Sequence, residues 1–241
     1  MSELPPHEMR RLRAVARDAA HLAELVARRE EGEPLQYLEG TAAFGPIDLM
    51  VDERVLVPRP ETERLWELVV ISASNPSVIV DLCTGSGALA IALARSFPDA
   101  RVVGADLSDD ALAVARRNGS ALAPQVEWRS GDLFEALDPT LQGEIDLLVS
   151  NPPYVAEAEW DVLPADVRRE PRMALVAGET GLEVLARIAA EAITWLRPGG
   201  RIWCEIGEQQ APASRDLFGN YTDVVVLRDF ADRYRYLTAT R

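Results

Sequence analysis

The sequence predicts an α/β fold in which a mostly parallel seven-stranded sheet carries helices on both faces, preceded by a short helical segment and a β-hairpin linker. Three observations carry this prediction. From Ser77 onward, short β-branched runs alternate with helical patterns, the order that gives parallel strands joined by crossover helices. The first of these strands enters its helix through a loop of small residues, Thr84-Gly85-Ser86-Gly87. The fourth ends abruptly in Asn151-Pro152-Pro153-Tyr154, where two consecutive prolines remove two backbone donors and hold the chain extended.

In chain order, residues 6–31 read as a helix, because Leu12, Val15, Ala16, Ala19, Leu22, Ala23, Val26 and Ala27 recur at helical spacing. The arginines between them (Arg10, Arg11, Arg13, Arg17, Arg28, Arg29) read as a solvated face. Glu31-Gly32-Glu33-Pro34 signals a linker. Residues 41–57 hold short apolar stretches around Gly45-Pro46 and Asp52-Glu53, a hairpin pattern that Pro58-Arg59-Pro60 stops. Residues 61–71 are helical, with Leu65, Trp66, Leu68 and Val69 on the apolar side. Thr62 is a candidate cap, and Glu61 and Glu63 suit the positive first turn. Sheet strands follow at 78–81, 101–105, 126–128, 144–150 and 201–206, interleaved with helical segments at 88–95, 109–118, 133–137 and 181–196. Pro198-Gly199-Gly200 reads as a turn, and two strands at 223–227 and 234–239 close the chain. The chain thus divides into a helical segment (1–32), a hairpin linker (33–60) and a main domain (61–241).

Composition narrows the function classes. At 241 residues the chain holds one full α/β domain and an appendage. It contains no run of eighteen apolar residues and no signal-peptide core, so a cytoplasmic protein without a membrane span is expected. Two cysteines, Cys83 and Cys204, argue for a reducing compartment and against a disulfide framework. With only His7 and His21 besides, no metal site is expected. A formal charge of −14 opposes approach to nucleic acid. All 25 basic residues are arginine, which excludes lysine-based covalent chemistry.

The loop after the first strand has the features of a cofactor cradle. Asp81, Cys83, Thr84, Gly85, Ser86 and Gly87 let the backbone approach a ligand closely and turn into a helix whose N-terminus supplies donors. About twenty residues further on, Asp106 with Leu107 ends the second strand, where a carboxylate accepts ribose hydroxyls. Asp132 with Leu133 ends the third-strand segment, placed to bind an adenine amino group. Three acidic strand ends indicate an adenosine cofactor. The loop alone does not separate a nicotinamide dinucleotide from S-adenosylmethionine, because Ala90 at the third loop position is tolerated by the dinucleotide fingerprint.

Asn151-Pro152-Pro153-Tyr154 decides between them. Its carbonyls have lost their ladder partners, and an Asn side chain beside them makes a polar clamp for a planar –NH2 group. Such a clamp has no part in hydride transfer and fits methyl transfer to nitrogen.

Together these residues resemble the class I methyltransferases that carry an Asn-Pro-Pro-Tyr motif. Among these the chain is similar to the release-factor glutamine N5-methyltransferases (PrmC/HemK-like). The similarity runs from Glu33 to the C-terminus and includes Glu33-Pro34-Leu35-Gln36-Tyr37, Val55 to Glu63, the glycine loop, Val149 to Val155, Glu170-Pro171, and Glu205-Ile206-Gly207 with Gln209. The resemblance implies a Rossmann-like fold, S-adenosyl-L-methionine as cofactor and S-adenosyl-L-homocysteine as product. It also implies a glutamine amide in the Gly-Gly-Gln loop of a release factor as acceptor. It implies that the Asn151 oxygen and the Pro152 carbonyl accept the two amide hydrogens, with Pro153 and Tyr154 walling the acceptor. Asn151 then serves catalysis while bordering the cofactor. Arg59, Glu61 and Glu170 are expected to shape the acceptor pocket.

Residues 1–32 are shorter than the helical bundle of this family, so a shortened docking segment is expected. This leaves room for a small amide-, guanidine- or amine-bearing metabolite as acceptor. A nucleic-acid adenine N6-methyltransferase, which uses a similar clamp, is disfavoured by the acidity. A non-catalytic binding module is disfavoured by the presence of both Asp106 and Asn151.

Overall fold

Alternating strand and helix close into a seven-stranded sheet in the computed structural model, which describes residues 4–241. Residues 1–3 of the N-terminal segment lie outside this description. The sheet consists of β3 (Val78–Leu82), β4 (Arg101–Asp106), β5 (Glu127–Ser130), β6 (Ile145–Ser150), β9 (Leu196–Glu205), β10 (Thr222–Arg228) and β11 (Tyr234–Thr240). Its spatial order is β10-β11-β9-β6-β3-β4-β5. The strands from β9 to β5 run parallel, and β11 inserts antiparallel between β9 and β10. The predicted α/β class and strand number therefore hold.

Side-chain alternation along the central strands sorts the core onto two faces. Val80, Leu82 and Leu148 face α7 (Glu183–Trp195) and α8 (Ala211–Leu217). Ile79 and Val149 face the other side, beneath α4 (Pro60–Ser72) and α5 (Ala88–Ser96). The hairpin β1 (Thr41–Phe44) and β2 (Ile47–Met50) packs on this second face through Phe44 and Leu49. A further helix, α6 (Asp109–Leu122), is capped by Ser108 and covers Val55 and Val57 of the linker.

Four differences from the sequence-based expectation stand out. The N-terminal helix is two helices, α1 (Pro6–Val15) and α2 (Ala19–Glu30), because Asp18 accepts a hydrogen bond from the His21 N–H and starts a new helix. These two pack with α3 (Leu35–Glu39), which was read as linker, around Leu12, Leu25, Leu35 and Leu38. Three of their six arginines are paired, Arg11 with Glu39, Arg28 with Glu33 and Arg29 with Glu8, while Arg10, Arg13 and Arg17 are exposed as the solvated-face reading expects. Finally, Pro198-Gly199-Gly200 does not end an element. Between the pairs Ile145–Leu196 and Leu147–Arg201, β9 advances five residues against two and absorbs this segment as a bulge.

Trp128 of β5 sits where three glycines leave space. A Cβ on Gly104 would lie 2.6 Å from its ring, one on Gly119 2.7 Å, and one on Gly87 2.8 Å. Gly104 has ordinary strand backbone, so Gly104→Ala isolates the steric effect. It is expected to cost about 1–3 kcal/mol by overpacking, read as a lower urea midpoint; an unchanged midpoint would contradict this packing.

Candidate functional site

Parallel strands deliver their C-terminal ends to one edge of a sheet, and here that edge opens into a cavity of about 320 Å³. Asp81 in β3, Asp106 at the end of β4, Asp132 after β5 and Asn151 after β6 all line it. Cys83, Thr84, Gly85 and Ser86 form its floor, and Leu107 and Leu133 its apolar walls. Arg59 and Pro58 reach over it from the linker, and Pro153, Pro171 and Met173 border the remaining side.

The floor loop is tightly wound. Gly85 holds φ +55 and Gly87 +86, and Cys83 adopts +58, a left-handed conformation uncommon outside glycine. Burial pushes the Cys83 thiol up, which keeps it protonated and unreactive. Asp81 is 1% exposed. Its Oδ2 accepts the Thr84 hydroxyl at 2.6 Å and the Ala90 N–H at 3.1 Å, while the buried Oδ1 has no partner among the described residues. Asp106 accepts the Gly85 N–H at 2.8 Å and the Ser108 N–H at 2.9 Å, and burial raises its pKa in spite of those bonds.

Charge in the cavity is asymmetric. Its three arginines are all engaged by acids: Arg54 by Asp52, Arg59 by Glu170, and Arg187 by Asp132 at 3.0 Å. Asp81 and Asp106 have no arginine partner among the described residues. Two uncompensated carboxylates, one with an orphaned buried oxygen, suit a ligand that carries positive charge and hydroxyl or ammonium donors. S-adenosyl-L-methionine has a sulfonium, an ammonium and a ribose, so the residues fit it.

Asn151 does not stand alone. Its Nδ2 donates to Thr62 Oγ1 at 3.0 Å, and that hydroxyl donates to Glu205 Oε2 at 2.7 Å. Thr62 and Glu205 are both buried. Asn151 lines the cavity, and among the described residues no hydrogen bond ends on its Oδ1 or on the Pro152 carbonyl. Two carbonyl-type acceptors on consecutive residues, both without a partner among the described residues, have the chemistry to accept two hydrogens of one planar nitrogen.

Several sequence-selected residues lie elsewhere. Gly87 caps α5 under Trp128, outside the cavity. Pro152 is buried and is not among the cavity-lining residues. Tyr154 turns its hydroxyl to Glu205 Oε1 at 3.4 Å and lies beneath the Arg235 guanidinium, not among the cavity-lining residues. Glu170 accepts the Val57 N–H at 3.0 Å and a bond from Arg59, so it ties the linker down and lines no wall. Glu61 points to the closing hairpin, where its carboxylate accepts from Arg233 at 3.0 Å and its carbonyl from the Tyr236 hydroxyl at 3.0 Å. The pocket role expected for Glu61 therefore has no geometric basis: it is drawn away by an arginine 172 positions later.

The sequence assigns neither Thr62 nor Glu205 to the site: Thr62 reads there as a candidate helix cap, and Glu205 only as part of a segment carrying the resemblance. Thr62 makes no capping bond on α4 and is instead the bridge to Glu205. The available signal is that Thr62 and Glu205 each lie in a segment carrying the family resemblance.

Burial raises Asp81 and Glu205 to about 7, from ordinary values of 3.8 and 4.5. Between those values and 7 the ligand-free folded chain holds protons that the unfolded chain has released. Their contribution to stability is thus full below the unfolded values and is lost as pH rises through 7. Carboxylates held low by arginine hydrogen bonds, such as Glu8, Asp52 and Glu127, act oppositely and lose their contribution as pH falls. The melting temperature of the ligand-free protein is expected to rise from pH 8 to about 5.5 and to fall below about pH 4. Asp81→Asn with Glu205→Gln should flatten the upper limb; a limb unchanged in that variant would assign it to other groups.

Among the described residues no helix is long and apolar enough to cross a membrane. Residues 67–166 match the family described as Methyltransferase small domain. The chain is 45% identical over 228 residues to the release factor glutamine methyltransferase of Mycolicibacterium smegmatis, covering 92% of this chain and 80% of that protein. It is 40% identical to the protein of the same name from Streptomyces coelicolor, covering 90% of this chain and 79% of the other. Among solved structures, a methyltransferase from Pyrococcus furiosus superposes with a TM-score of 0.61 at 18% identity, covering 90% and 98% of the two chains. A ribosomal protein L11 methylase from Lactobacillus delbrueckii gives 0.57 at 21% identity, covering 80% and 85%. These structural likenesses establish the shared fold.

Proposed function

The chain belongs to the release factor glutamine methyltransferases, and from that premise we propose that the cavity and the Asn151 clamp are the two halves of its active site. The enzyme is an S-adenosyl-L-methionine-dependent N-methyltransferase that methylates the glutamine amide of a peptide chain release factor. The observation that carries the site assignment is the pair of acceptors without a partner among the described residues, Asn151 Oδ1 and the carbonyl of the next residue, Pro152, with Asn151 lining a cavity that holds two carboxylates no arginine engages.

When bound, S-adenosyl-L-methionine supplies a methyl group already activated on its sulfonium. Asp106 and Leu107 would hold its ribose side, Asp132 and Leu133 its adenine, and Asp81 with the loop from Cys83 to Ser86 its amino-acid end. The task left to the chain is alignment. An amide nitrogen is a weak nucleophile because its lone pair is delocalised. Asn151 Oδ1 and the Pro152 carbonyl accept its two hydrogens, fix its plane and favour electron density on nitrogen. They strengthen as positive charge develops there, which lowers the barrier selectively. The nitrogen then releases one proton to water, and no strong general base is needed. A monomethylated amide keeps a single hydrogen for two acceptors, so transfer stops at one methyl group.

The division into an N-terminal helical segment, a linker at 33–60 and a methyltransferase domain at 61–241 is part of this proposal, as is action in the cytoplasm without nucleic-acid contact at a net charge of −14. An acceptor screen by mass spectrometry tests the acceptor class. Turnover is expected with a release factor bearing a Gly-Gly-Gln loop and lost when that glutamine is replaced. Turnover only with free amides or guanidines would overturn it.

A further inference from the structure

We infer that Glu205 and Thr62 are positioning residues that set the orientation of the Asn151 amide, so that its oxygen and not its –NH2 group meets the acceptor. The inference rests on the reading of Asn151 as the clamp and explains what makes the clamp one-directional.

A side-chain amide has nearly the same shape in either of its two flipped orientations. At this site they are chemically opposite. With the oxygen toward the acceptor, Asn151 accepts a hydrogen of the glutamine amide. With –NH2 there, it would oppose donor to donor and favour a carbonyl in place of a nitrogen. Something must choose between them before the acceptor arrives, and packing cannot.

The hydrogen-bond chain chooses. Above about pH 7 the Glu205 carboxylate is ionised and only accepts, so the Thr62 hydroxyl must spend its single hydrogen on Glu205 Oε2 at 2.7 Å. The Thr62 oxygen can then only accept, and the group within reach at 3.0 Å must be the donor end of Asn151. Direction thus propagates from the carboxylate through one hydroxyl to the amide. Glu205 is 1% exposed, so water does not offer it an alternative partner, and Thr62 borders the cavity with only 5% of its surface exposed.

The topology supports the same reading. Ser150 of β6 is in register with Cys204 of β9, which places Glu205 beside Asn151 at the strand ends. Thr62 enters from the first turn of α4, where it makes no cap. Tyr154 donates to the other oxygen of Glu205 at 3.4 Å. Both ends of Asn151-Pro152-Pro153-Tyr154 therefore converge on one carboxylate, Asn151 through Thr62 and Tyr154 directly. This also assigns Tyr154 a use that its absence from the cavity wall leaves open.

The test compares Thr62→Val, which keeps shape and removes the hydroxyl, with Thr62→Ser, which keeps the hydroxyl. Steady-state kinetics at about pH 8, where Glu205 is ionised, use an unmodified release factor as acceptor, with cofactor affinity measured by calorimetry. Thr62→Val is expected to lower kcat about 10- to 100-fold, the range for a lost hydrogen bond to a charged network. Its cofactor affinity should stay within about twofold, and Thr62→Ser should recover kcat to within about threefold of the parent. If Thr62→Val does not fold, Glu205→Gln supplies the second arm: an end group that can also donate removes the directional bias, and kcat should fall at least about fivefold. A folded Thr62→Val with full kcat, or a Thr62→Ser as impaired as Thr62→Val, overturns the positioning role. Asn151→Ala separates the two levels: if it too keeps full kcat, the clamp reading fails as well, whereas its loss of activity beside an unimpaired Thr62→Val removes only the relay.

Discussion

Asn151→Ala is expected to lower kcat by about 100- to 1,000-fold, the range seen when one preorganised transition-state hydrogen-bonding group is removed. Affinity for S-adenosyl-L-methionine should change by less than about fivefold, since the variant leaves the hydrogen bonds of Asp81 and Asp106 in place. The split follows from geometry. Asn151 meets the cavity at its rim, and its one side-chain hydrogen bond runs away from the cofactor floor toward Thr62. Truncation removes one of two acceptors for the amide hydrogens and leaves the Thr62–Glu205 pair in place. The measurement pairs single-turnover kinetics with calorimetry. Equal losses in rate and cofactor affinity would mean that Asn151 holds the cofactor and does not clamp the acceptor.

Asp106→Ala is expected to have the complementary effect, weakening cofactor binding by about 100-fold or more, as when one partner of a buried, hydrogen-bonded charge contact is truncated. The carboxylate has two tasks. It accepts the Gly85 and Ser108 N–H groups, which ties the floor loop to the next strand end, and it presents negative charge that no arginine neutralises. Removing it costs both a ligand contact and the closure of the loop. Calorimetric titration checks this, with Asp106→Asn as a control that keeps a hydrogen-bond acceptor and removes the charge. Unchanged affinity in the Ala variant would place the ribose elsewhere.

The fold was legible because it is written in local periodicity. Val78 to Leu82 is a buried β-branched run, and its end at Asp81 locates one corner of the cavity without knowledge of any other strand. The same holds for Asp106, Asp132 and Asn151, each of which follows a strand whose pattern can be read alone. What was not legible depends on pairs distant in sequence. Thr62 and Glu205 are separated by 143 positions, and nothing near Thr62 distinguishes a bridge from a helix cap. Glu61 is diverted by Arg233, and Glu170 ties down Val57 and Arg59 from 111 or more positions away. The N-terminal break at Asp18 is a different case, since its capping bond is local; the continuous apolar pattern across it outweighed that signal.

The proposed relay would make the tetrapeptide a unit. The Pro152 carbonyl has no partner among the described residues, Asn151 would supply the second acceptor, and the buried Glu205 receives both Thr62 and Tyr154. The clamp would thus be oriented before the substrate arrives, so little reorganisation is left for the moment of transfer.

The most direct measurement is the position and number of methyl groups on an intact release factor after incubation with this enzyme and S-adenosyl-L-methionine. Tandem mass spectrometry should place a single methyl group on the side-chain nitrogen of the Gly-Gly-Gln glutamine, with none added by Asn151→Ala. Methylation at another residue, or undiminished methylation by Asn151→Ala, would contradict the account.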